Sequence, residues 1–392
     1  MMKRPYLSDQ IFSKKIKQIN RGQKHRHLVN RTIIREGQHG LSFLNTIIMK
    51  KHKSSRNHSI QGIAEALRLS PATISRVLNN HPHVHETTRT KVMAKVEQIG
   101  YKRNLMASGL RTNKTYTIGL IVPRISMFVH AEIITTIQNG LHAHGYSLII
   151  CQSNDSVEME MELTQKLNAY RVDAVIAACT LYTSDFSHFD ILRHNNIPIV
   201  FYDRVPVKPY PACIIKGDDF RGAYLATSHL IELGSRRIAF ISGPLNCNLY
   251  IDRYAGFEKA MRQNNIPIAD EHVFYQELNA DNARKAMHRL FAKKPYPEAI
   301  FAANDVSALT ALEFAKEVGI SVPGELKIVG YSNDPRSAIV TPSITTIEQF
   351  PGQIGKVIVS ELLRILKNGS QEISVDALPI ITPVQLLRRM ST

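Results

Sequence analysis

The stretch SIQGIAEALRLSPATISRVLN, residues 59–79, decides how this chain is read. Ile60, Ile63, Ala64 and Leu67 recur at i, i+3, i+4 and i+7, which places apolar groups on one face of a helix. Ser70 predicts an N-cap, and Pro71 suits a first helical turn because its missing N–H is not needed there. In the second helix Ile74, Val77 and Leu78 turn inward, leaving Ala72, Thr73, Ser75, Arg76 and Asn79 outward. Two short helices joined by a tight turn, the second offering short polar groups and one Arg, read as a helix-turn-helix that enters a DNA groove. Alone, the pattern also fits an ordinary helical hairpin. The rest of the chain separates the two.

Charge separates them first. Residues 1–48 hold 10 Lys/Arg against 2 Asp/Glu, and residues 49–113 hold 12 against 3. The other 279 residues hold 27 against 28, so the formal net charge of +16 belongs wholly to the N-terminal part. A basic head on a neutral body predicts phosphate contact by one domain. Length allows that head and a body with substantial cores. Cys151, Cys179, Cys213 and Cys247 have neither zinc-like nor disulfide-like spacing, which predicts a reducing compartment such as the cytoplasm. The 16 histidines form no metal-ligand motif, and His81, His83 and His85 alternate within a loop; neither metal nor cofactor is expected. No apolar run approaches the roughly 18 residues of a membrane span, and no signal-peptide core is present.

Residues 1–48 show no clear periodicity. They read either as a disordered basic arm or as sequence preceding a true start at Met49; the polar lead-in Met49-Lys50-Lys51-His52-Lys53 favours the second. After the loop Asn80–Val84 a third helix is expected from Glu86 to Gln98, with Val92, Met93, Val96 and Ile99 on one face and Gly100 as its stop. The segment Tyr101–Thr112 has weak helical potential, and Gly109 costs it about 1 kcal/mol relative to Ala. A helix there needs a partner to stay folded.

From Tyr116 onward, apolar β-branched runs alternate with amphipathic stretches. Strands are expected at Thr117–Val122, Ser147–Cys151, Ala174–Ala178, Ile197–Tyr202, Ala212–Ile215, Arg237–Ile241, Ala299–Ala302 and Lys327–Val329, with Val384–Leu387 last. This alternation predicts βαβ units and buried parallel sheets. The strands are too many for one compact sheet, so two α/β subdomains flank a cleft, with ligand loops at the carboxyl ends of strands.

With these motifs in place the chain resembles the lactose/galactose-repressor family of bacterial transcription regulators, from about Ser59 onward. The likeness rests on IAEALRLSPATISRVLN (63–79), TRTKVMAKVEQIGYKRN (88–104) and ASGLRTNKTYTIGLIVP (107–123), followed by FYDR (201–204) and HLIELGSRRIAFISGP (229–244). DRYAGF (252–257), AND (303–305), VPGELKIVGYSND (322–334) and PSITTIEQ (342–349) complete the series. The resemblance implies an all-α helix-turn-helix domain (58–103) after a basic extension (1–57), then a hinge helix (104–113). It further implies a type I periplasmic-binding-protein-like α/β core (114–392). The first subdomain would take about 116–216 and 350–372, the second about 217–345 and 373–392.

The resemblance places DNA contacts at Ser70, Pro71, Ala72, Thr73, Ser75, Arg76, Asn79, Tyr101 and Asn104, with Leu110 as a wedge into a minor-groove step. Pro71 and Ala72 offer bases no hydrogen bonds, so DNA deformability should carry part of the specificity. Effector contacts are implied at Phe128, His130, Asn154, Asp203, Arg204, Arg253, Asn304, Ser332 and Asn333. Many members carry two acids after Gly-Tyr where this chain has Ser332-Asn333, so the usual carboxylate is either lost or displaced to Asp334; the loop Ser126–His130 lacks the usual Asn-Pro. The expected protein is a repressor, not an enzyme, that binds double-stranded operator DNA as a homodimer and answers to a sugar or sugar derivative. No nucleotide-binding, nucleophile or metal motif supports the rival reading of the body as an enzyme. A secreted solute-binding protein would not carry the basic head. No heptad segment follows Val384–Leu387, so a C2 dimer is expected instead of a tetramer.

Overall fold

The computed structural model describes residues 59–78, 81–101, 114–368, 374 and 377–392, and the chain divides into two compact units, 1–104 and 105–392. The described part of the first unit holds helices α1 (Ile60–Leu67), α2 (Pro71–Leu78) and α3 (Glu86–Gln98). The Ser59 hydroxyl accepts from the Gly62 N–H, and Arg68 closes α1 in the left-handed region at φ 53°. Ser70 Oγ accepts from the Thr73 N–H at 3.1 Å, the cap expected of it. Ile63, Ala64, Ile74, Val77 and Val92 are buried together, with Ile60, Leu67, Leu78, Val96 and Ile99 packed around them. Met93 departs from the expected face and is 48% exposed. It follows Val92 by one residue, which turns it about 100° away from the 92–96–99 stripe.

The second unit begins with β1 (Thr117–Val122), α4 (Phe128–Ala143), β2 (Ser147–Gln152), α5 (Val157–Ala169), β3 (Ala174–Ala177), α6 (Asp190–His194), β4 (Ile199–Tyr202) and β5 (Cys213–Gly217). It continues with α7 (Asp219–Glu232), β6 (Ile238–Ser242), α8 (Asn248–Gln263), β7 (Val273–Tyr275), α9 (Ala280–Leu290), β8 (Ala299–Ala302), α10 (Asp305–Glu317), β9 (Lys327–Val329) and α11 (Pro335–Ile339). It closes with β10 (Thr346–Glu348), α12 (Pro351–Asn368), β11 (Ile380–Thr382) and β12 (Gln385–Leu387). One parallel sheet, ordered β11-β5-β4-β3-β1-β2, builds the first lobe; another, ordered β7-β6-β8-β9, builds the second. Helices cover both faces, so β3, β4, β6 and β8 are buried along their whole length, which explains their unbroken apolar runs.

Three strands lie outside the expected set: β7, β10 and β11. β11 also corrects the subdomain boundary, because it pairs with β5 as Ile380↔Ile215 and covers the edge of the first sheet. Residues 380–382 therefore belong to the first lobe, and the chain returns to the second only afterwards. The lobes are joined by three passages: Gly217 to Asp219, Glu348 to Pro351, and Thr382 to Gln385. They lie side by side, since the Asp218 N–H donates to Thr382 O at 3.0 Å and β10 pairs antiparallel with β12.

Beside the first passage α7 and α8 cross closely at Gly256, where a Cβ would stand 2.2 Å from Phe220 O. Any side chain there forces the helices apart. Among the described residues no helix is long and apolar enough to cross a membrane, and no group of three or more His, Cys, Asp or Glu could hold a metal ion.

Candidate effector cavity and nucleic-acid interface

In the first unit the exposed side of α2 carries Ser70, Pro71, Ala72 and Arg76 at the surface, with Thr73 and Ser75 half-buried. Thr73 and Ser70 hydroxyls bond each other at 2.9 Å, so the start of α2 is pre-ordered. Tyr101 packs against the apolar core of this unit, which gives it a structural contact as well as a half-exposed position. Asn79, Asn104 and Leu110 lie outside the described residues.

In the second unit a cavity of about 310 Å³ opens between the lobes at the carboxyl ends of their strands. The first lobe supplies Arg124, Phe128, Asp155 and Arg204; the second supplies Tyr250, Glu277, Asn304, Asp305, Ser332, Asp334 and Arg336. Of the expected effector residues, Phe128, Arg204, Asn304 and Ser332 meet in this wall.

Asp155 organises the first-lobe side. It follows β2 in a turn where Asn154 and Asp155 both have left-handed backbones, φ 55° and 59°. Its carboxylate accepts from Arg204 Nη1, from Arg124 Nε at 3.2 Å and from the Leu181 N–H at 3.0 Å. The Arg204 guanidinium and these donors hold the carboxyl of Asp155 below the usual range, although burial acts the other way. Arg124 also reaches across the cleft to Glu277 Oε1 at 3.5 Å. On the second-lobe side, Asp305 accepts from Thr346 Oγ1 at 2.7 Å and from the Asp334 N–H at 2.6 Å. Burial pushes its carboxyl up to about 7 against those two hydrogen bonds. Asp334 itself grips Arg336 through both carboxylate oxygens.

The remaining expected residues are not part of this wall. His130 is fully buried in α4, with the Tyr202 hydroxyl 3.2 Å from Nδ1 and Asp203 Oδ2 3.8 Å from Nε2. Arg253 pairs with buried Asp219 at 2.8 Å, donates to Ala303 O at 2.6 Å and lies 3.6 Å over the Tyr331 ring. It reaches the cavity only through Tyr250, whose ring centroid is 5.7 Å away. Asn154 Oδ1 accepts from Gln152 Nε2, while the Asn333 side chain turns to Glu348 and Arg389. Helix and turn geometry aims these groups sideways, which position in the sequence does not reveal. Of the residues missed, Arg124, Asp155 and Glu277 are charges on strand-to-helix loops, and Asp305 is the first residue of α10. For Asp155 and Asp305 the signal was adjacency to the expected Asn154 and Asn304; Arg124 and Glu277 had no such neighbour.

Residues 59–104 match the family described as "Bacterial regulatory proteins, lacI family", and residues 227–392 match "Periplasmic binding protein-like domain". The chain is 32% identical over 314 residues to the HTH-type transcriptional repressor PurR of Photorhabdus laumondii, covering 80% of this chain and 92% of that one. The chain belongs to the lacI family.

Another family member, the PurR repressor of Haemophilus influenzae, is 32% identical over 84% of this chain and 98% of its own. The crystal structure of the lac repressor dimer bound to operator and the anti-inducer ONPF covers 85% of this chain and 98% of that one, at 26% identity and TM-score 0.75. Lac repressor bound to ONPG in the repressed state gives 26% identity and TM-score 0.73 over 85% of this chain and 99% of that one. As a family member the chain is a DNA-binding regulator and not an enzyme.

The buried His130 makes a pH-dependent prediction. Burial, aided by Arg204 and opposed by Asp203, lowers its pKa from 6.5 to about 4. The unfolded chain therefore binds a proton that the folded chain refuses, so this contribution is complete above pH 6.5 and is lost as pH falls toward 4. The unfolding midpoint of His130→Gln should fall less steeply than that of the wild type between about pH 7 and 5. Parallel curves would contradict the buried neutral imidazole.

Proposed function

We propose that this chain is a ligand-responsive repressor of metabolic genes. It binds double-stranded operator DNA as a homodimer and takes a neutral polyhydroxylated effector, a sugar or sugar derivative, between the lobes of its body. One observation carries the effector class. Each arginine in the cavity wall is already paired with a carboxylate: Arg204 and Arg124 with Asp155, and Arg336 with Asp334. An anionic effector would meet Asp155, Glu277, Asp305 and Asp334 with the guanidinium charge already spent. Hydroxyls can donate to those carboxylates while an apolar sugar face covers Phe128 or Tyr250.

The effector acts through differential affinity for two lobe angles. Arg124 and Glu277 touch across the mouth, so a molecule that enters must displace or complete that contact. A coupling of about 1–3 kcal/mol between cavity and operator would make a useful switch. The segment 104–113 is the proposed hinge helix, with Leu110 as its minor-groove wedge, and 58–103 the proposed reading head. The lac repressor structure that holds operator and a small molecule in one dimer supports this reading.

In a selection from random duplex DNA, the full chain should enrich a near-palindromic site, and Arg76→Ala should bind it at least about tenfold more weakly. An asymmetric site, or unchanged affinity in the variant, would refute the dimeric head. In a thermal-shift panel a neutral sugar should raise the unfolding midpoint, and its phosphorylated form should not. Stabilisation by the phosphorylated form alone would overturn the neutral-effector reading.

A further inference from the structure

The turn that follows β9 presents Ser332 and Asp334 to the cavity but is fastened from behind. Ser332 has φ 103°, a backbone that a residue with a side chain rarely adopts, while Asn333 at φ 51° lies in the left-handed region that asparagine tolerates. The Ser332 N–H donates to Ile347 O at 2.9 Å. The Asn333 amide is gripped at both ends: Nδ2 donates to Glu348 Oε2 at 2.5 Å, and Oδ1 accepts from Arg389 Nη2 at 2.6 Å. The other oxygen of Glu348 accepts the Phe350 N–H at 2.6 Å. Phe350, left-handed at φ 53°, is the last residue before α12, where the chain has entered the first lobe. One carboxylate therefore bonds the effector-facing turn with one oxygen and a lobe passage with the other.

We propose that Glu348 is a positioning residue that ties the effector turn at Asn333 to the lobe passage at Phe350. It makes the conformation of the turn felt where the lobes pivot. The chemistry suits the Asn this chain carries at 333. An amide can donate to the Glu348 carboxylate and accept from Arg389 at the same time; an ionised acid there would set like charge against like. Arg389, from the C-terminal segment, orients the amide so that its NH₂ faces Glu348. The inference rests on the effector reading of the cavity, but the link itself is testable without any effector.

Hydrogen–deuterium exchange of the full chain at the Phe350 amide tests it. Asn333→Ala, which leaves Glu348 in place, should speed exchange at Phe350 by about fivefold or more while exchange in β6 is unchanged. Glu348→Gln offers one acceptor for two donors and should also speed it. In the Glu348→Gln background, adding Asn333→Ala should change the rate by less than about twofold. Unchanged Phe350 exchange in Asn333→Ala, or fully additive effects in the double variant, would overturn the proposal. Should Glu348→Gln fail to fold, the Asn333→Ala comparison with wild type decides alone. Failure of effector binding with these exchange results intact would sink the effector reading and leave the link standing.

Discussion

Three passages of chain join the lobes, and they are bonded to one another side by side. Asp218 N–H to Thr382 O, Thr382 Oγ1 to Lys216 O and the β10–β12 pair make one narrow ribbon of them. Each lobe keeps a core on its own sheet and helices, and beside the ribbon the lobes also touch through Leu181, buried in the core of the second lobe, and through Asn248, which bonds Val205 N–H and Asp203 O. The cavity opens at the carboxyl ends of both sheets, where a small rotation changes the distance between its walls most. The short passages are where the proposed ligand-biased movement would take place.

Buried charge supports the same ribbon. Asp219 follows the first passage and meets Arg253 of α8, both almost wholly buried. Removing one partner of such a pair strands the other charge in a poor solvent, at a cost of about 3–5 kcal/mol. Arg253 is placed to fix α8 against the first passage, while Arg204 and Asp155 fix the opposite wall. The cavity is lined by charge already compensated within the protein. This compensation is the ground on which a hydroxylated neutral guest is proposed over an ion.

The helix-turn-helix was legible because three independent signals agreed over twenty residues: apolar period, the Ser70 cap and Pro71 at the helix start. Strands of four or more apolar residues, such as Ala299–Ala302, were legible for the same reason: burial on both faces leaves a continuous run. β7, β10 and β11 are three residues each, too short for a run to stand out from a loop, and their pairing depends on distant chain. The misplacement of 380–382 follows from that, since only contact with β5 assigns it to a lobe. In the cavity, Phe128, Arg204, Asn304 and Ser332 were implied by the family resemblance, and the fold brings these four into one wall. His130 and Arg253 lie close along the chain to wall residues but point into the lobes, where Tyr202 and Asp219 receive them. A motif fixes the neighbourhood of such residues; the helix turn fixes their direction.

The central claim is that cavity occupancy and operator affinity are two readings of one lobe rotation. Spectroscopic labels at the exposed positions Tyr170 in the first lobe and Val318 in the second would measure the lobe separation directly. As a stabilising sugar is titrated into the operator-bound protein, the separation should shift with the same midpoint as the change in operator affinity. A full change in operator affinity with no change in separation would contradict the account.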